Sequence, residues 1–60
     1  MKYPESILIN LGFKFEKCLT TNDSRIIAND IRTLLNELSP EDQTEARKLI
    51  EVGRKEARLN

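Results

Sequence analysis

Apolar residues recur every three or four positions along most of this chain, most regularly in its middle. Ile27, Ile31, Leu34, Leu35 and Leu38 form one stripe, with Ile26 beside it and Asn29, Asp30, Arg32, Thr33, Asn36 and Glu37 outside. That is the 3.6-residue period of an amphipathic helix. The preceding Thr20-Thr21-Asn22-Asp23-Ser24 reads as a turn in which Asn22 or Asp23 is the expected N-cap, so the pattern predicts a helix over about 23–38. Leu38-Ser39-Pro40-Glu41-Asp42 then stops that helix and starts another. Ser39 can cap, Pro40 suits the first helical position, and the two acids face the positive end of the new helix dipole. The last helix is predicted over 40–58, with a thin stripe of Ala46, Leu49, Ile50, Gly53 and Ala57 whose small members let a neighbouring backbone come close. So short a joint makes the two helices an antiparallel hairpin.

Residues 4–19 fit two patterns. As a helix, Pro4-Glu5-Ser6 opens it, and Ile7, Leu8, Leu11, Phe15, Cys18 and Leu19 share a face roughly 120° wide. Ile9 and Phe13 then fall together on the polar side, four residues apart. As a strand, Ile7, Ile9, Leu11, Phe13 and Phe15 alternate with Leu8, Asn10, Gly12, Lys14 and Glu16, and only Leu8 breaks the period of two. Gly12 weakens either element. The helix is the favoured reading, because Pro4 fits a helix start and a lone strand has no partner within the chain.

Composition narrows the function classes. Sixty residues make one domain at most, with a core so small that such chains commonly need a disulfide, a metal or a partner. Cys18 is the only cysteine and there is no histidine, so neither an internal disulfide nor a zinc site is expected. Support by self-association or a protein target is the remaining route. Ten basic residues balance ten acidic ones, which argues against a strongly basic nucleic-acid binder. Met1-Lys2-Tyr3-Pro4 leads into Ile7-Leu8-Ile9, a run that Asn10 ends before it could serve as an export signal or a membrane span, and the cytoplasm is the expected location.

Chemistry is sparse. The sequence holds no Gly-rich phosphate loop, no histidine base and no serine on a nucleophile elbow, so no enzymatic activity, cofactor or small-molecule substrate is expected. Cys18 follows Lys17, a neighbour that could activate a thiol, but it reads first as a small core hydrophobe. Arg47, Lys48, Arg54, Lys55 and Arg58 make the second half of the last helix basic and are the candidates for phosphate contact, though Glu51 and Glu56 interrupt them and no aromatic side chain stands near to stack on a base. Arg47–Glu51 and Glu51–Lys55 are expected as ion pairs along the helix. Ile9 and Phe13, with Ala46, Leu49 and Gly53, are the expected partner-binding surface, since two adjacent apolar side chains on a polar face call for burial or a partner.

Two resemblances follow from these alternatives. In the strand reading, the order strand, helix, helix resembles the ribbon-helix-helix repressors, which are dimers that place a paired ribbon in the major groove; that resemblance implies base contacts from Asn10, Gly12 and Lys14. In the helix reading, residues 26–58 resemble the hairpin of Rop-type four-helix dimers. The favoured expectation is a small all-α, three-helix domain that binds a protein partner or itself without catalysis. The alternative is a dimeric DNA-binding regulator.

Overall fold

The computed structural model describes residues 3–60; Met1 and Lys2, which open the run weighed above as an export signal, lie outside the described residues. Helix α1 spans Glu5–Lys17, α2 spans Thr21–Asn36 and α3 spans Pro40–Leu59. Residues 7–15 are helical throughout, and no strand occurs among the described residues. The ribbon alternative therefore has no strand to build on, and Gly12 stands inside a helix.

Each helix end has a local cause. Pro4, extended at φ −63° and ψ 146°, sets the chain entering α1. Cys18 returns to extended angles, so α1 stops two residues before the expected Leu19. Thr20 caps α2, its hydroxyl accepting from the Asp23 backbone N–H at 3.1 Å. The cap thus falls two or three residues ahead of Asn22 and Asp23, which lie inside the helix with Thr21. Ser39 caps α3 as its sequence indicates, accepting from the Asp42 N–H at 3.3 Å. The Gln43 side-chain amide donates to the Leu38 carbonyl of the joint at 3.0 Å, tying α3 to the linker before it.

The chain runs up, down and up. Tyr3, ahead of α1, donates its hydroxyl to Glu37, just ahead of α3. At the far end Glu16 of α1 meets Arg54 and Arg58 of α3. Helices α1 and α3 consequently run in the same direction, and α2 lies antiparallel to both. The α2–α3 hairpin is formed, yet the most intimate packing joins α1 to α3.

That packing turns on two glycines. A Cβ built on Gly12 would stand 1.9 Å from the Ile50 carbonyl oxygen, and one built on Gly53 would stand 1.8 Å from the Ile9 carbonyl oxygen. The two backbones touch reciprocally. In each case the α-hydrogen in the Cβ position points at a carbonyl oxygen, the arrangement of a Cα–H···O contact between helices. Leu8, fully buried, plugs the core beside this crossing together with Leu34, Leu38, Ala46, Leu49 and Ile50.

Helix α2 has the strongest apolar stripe and the least burial. Only Leu34 is buried within it, with Leu38 just beyond its end; Ile27 is half-buried and Ile26 exposed. The second half of α2 is thus anchored and the first half stands off. A Cα radius of gyration of 11.1 Å, against about 10.4 Å for a compact 60-residue domain, agrees with that loose docking.

Candidate functional site

Helices α1 and α3 form a layer with two sides. On the front, an open apolar groove of about 210 Å³ lies under the middle of α2, lined by Phe15, Ala28, Ile31, Ile50 and Arg54. Phe13 and Val52 stand two residues from these lining positions, which is about 200° round a helix, and so lie on the back. Ile9 belongs to the same side, one turn before Phe13. Ile9 and Phe13 are half-buried, and their backbones bracket Gly53, the neighbour of Val52. Val52 itself is 41% exposed. The back of the layer is therefore an apolar strip made by two helices, with α2 on the opposite side.

The five expected partner-binding residues divide accordingly. Ala46, Leu49 and Gly53 are buried within the chain, and at Gly53 the α1 backbone fills the space a side chain would take. They are unavailable to a partner. Ile9 and Phe13 reach the surface only in part, and Val52, which the sequence reading left out, joins them. Its signal was weak: a valine between Glu51 and Gly53 reads as a gap in the polar face, and it takes the placement of α2 to show that this face is bare.

The expected basic stretch also divides. Arg54 donates from Nε to Glu16 at 3.0 Å, and its guanidinium carbon stands 5.2 Å from the centroid of the Phe15 ring. Arg58 donates to Glu16 at 3.2 Å and to Glu51 at 3.0 Å. Arg54 also approaches Glu51 at 3.6 Å. Glu51 thus serves Arg54 and Arg58 in place of the expected Arg47 and Lys55, because those two arginines also converge on Glu16 from α1. The Arg58 hydrogen bond, helped by the charges of Arg54, Arg58 and Lys55, lowers the Glu51 pKa from its ordinary value against a smaller desolvation effect. Arg47, Lys48 and Lys55 remain exposed on α3. Lys17 places its ammonium 5.9 Å from the centroid of Phe13 on the back face.

Cys18 is half-buried, and its thiol donates to the Lys14 carbonyl at 3.1 Å. No group of three or more potential metal-ligating Cys, Asp or Glu side chains forms among the described residues. No helix among the described residues is long and apolar enough to cross a membrane. Comparisons with protein-family models, with curated proteins and with solved structures find no match to this chain.

Proposed function

We propose that this chain is a small, non-catalytic protein-interaction module that regulates by covering an apolar helical surface. One observation carries the reading: Ile9, Phe13 and Val52 leave an apolar strip along the back of the α1–α3 layer, on the side that α2 does not cover. A chain this small gains much of its stability from such surfaces when they are covered, since its own core supplies only about 3–5 kcal/mol. A contact with nucleic acid is the weaker reading, because Glu51 and Glu16 engage two of the five basic side chains and the described residues provide no strand for a ribbon. The single half-buried thiol suits a reducing, cytoplasmic setting.

A photo-crosslinking residue tests this when placed at position 52 and, as a control, at the exposed position 32 on α2. Irradiation in cells should give protein adducts from position 52 well in excess of those from position 32. Equal, low yields from both positions overturn the proposal.

A further inference from the structure

We infer that the partner is a second copy of this chain, docked back to back so that the two α3 helices pair antiparallel across Val52; this rests on the reading above that the back face binds protein. The case begins with charge placement on α3. Lys48 and Glu56 stand four residues on either side of Val52 and share its face. Both are exposed, and neither makes an ion pair among the described residues.

A two-fold axis through Val52 places each residue before it against the residue equally far after it. Val52 then meets Val52, and Lys48 meets Glu56 of the second copy, twice over by symmetry. A parallel pairing would set Lys48 on Lys48 and Glu56 on Glu56, so the charges select the antiparallel arrangement. One heptad out, Glu45 meets Leu59, an exposed leucine that can lie along the glutamate's methylene stem. Ile9 and Phe13 of each copy line the same seam from α1. The chain's zero formal charge removes net repulsion between copies. Helix α2 sits on the other side of the layer and does not obstruct the approach.

Sedimentation velocity across the micromolar range tests the inference, with circular dichroism confirming that each variant folds. The wild-type chain should be a dimer. Lys48→Glu and Glu56→Lys should each weaken dimerisation by about tenfold, since each turns two attractive contacts into repulsions. Combining them restores the complementary pattern and should restore the dimer. Arg32→Glu makes the same charge change on α2 and should leave the mass unaltered. A wild-type chain that stays monomeric overturns the inference, as do single variants that dimerise normally or a double variant no better than either single. If position 52 crosslinks other proteins while the chain is monomeric, this inference fails and the interaction function stands. If position 52 yields no adduct of any kind, both fail.

Discussion

Replacing Gly53 with alanine separates tertiary packing from helix propensity, because the two predict opposite signs. In an exposed helix interior, Gly→Ala stabilises by about 1 kcal/mol. At Gly53 the added methyl would lie 1.8 Å from the Ile9 carbonyl oxygen, 2.8 Å from its carbon and 2.9 Å from the Phe13 nitrogen. Ordinary carbon–oxygen contact begins about 1.5 Å further out. All three obstacles are backbone, so no rotamer change can relieve them. Helices α1 and α3 must separate, and that loosens Leu8, Ala46 and Leu49 together. A radial gap of 0.5–1 Å already forfeits roughly a quarter to a half of a van der Waals contact, and forced separation of packed elements typically costs about 1–3 kcal/mol or more. Loss of the Cα–H···O contacts adds about 0.5–1 kcal/mol each. Set against the propensity gain, the net loss is about 2–3 kcal/mol, a large share of what a chain of this size possesses. Urea unfolding followed by helical circular dichroism measures it directly. Gly12→Ala should behave alike, and the double variant should lose less than the two effects added, since the second methyl enters a gap the first has opened. A Gly53→Ala chain as stable as the wild type, or more so, would refute the reciprocal backbone contact.

Other expectations follow from burial and charge. Leu8→Ala removes the one fully buried large side chain and should cost about 2–4 kcal/mol, a large share of the stability, whereas Leu19→Ser at a 97% exposed site should shift stability by less than about 0.5 kcal/mol. For pH, the Glu51 carboxyl is held below its ordinary value chiefly by the Arg58 hydrogen bond. A depressed folded pKa stabilises above the unfolded value, about 4.3 for glutamate, and that contribution disappears as pH falls through the lower folded value. The unfolding midpoint should therefore drop on acidification below about pH 4.3, by less in Glu51→Gln and by less in high salt. A drop of equal size in Glu51→Gln counts against the Arg58–Glu51 contact.

How much of this was legible in the sequence differs by element. The Ser39-Pro40 joint and the helices on either side of it follow from local rules, and the structure places them within two residues of expectation. The capping residue of α2 was harder to identify, because five consecutive polar residues, 20–24, include several competent caps. Where α1 releases the chain at Cys18 decides for Thr20. In the sequence alone Gly12 is a local cost. Its compensation is the Ile50 carbonyl, some forty residues away, and no periodicity within α1 encodes that. The thin stripe of α3 indicates that something comes close, but a small residue does not name its neighbour; α1 of the same chain is the occupant, and of the back face Ile9, Phe13 and Val52 keep some exposure. Helix α2 inverts the usual inference, since it has the most regular apolar stripe and yet the glycine contact makes α1 and α3 the principal packed pair.

The Gly12–Gly53 crossing also sets an order for the birth of the molecule. Helices α1 and α3 hold each other, so the principal interface closes only after Gly53 has left the ribosome. Until then Leu8 and the stripe of α2 are without most of their partners, and the loop that must close runs from Gly12 to Ile50, which makes this contact slow to form for a small helical domain. A chain interrupted before residue 53 lacks this interface and keeps its apolar stripes uncovered, the state that chaperones and proteases recognise.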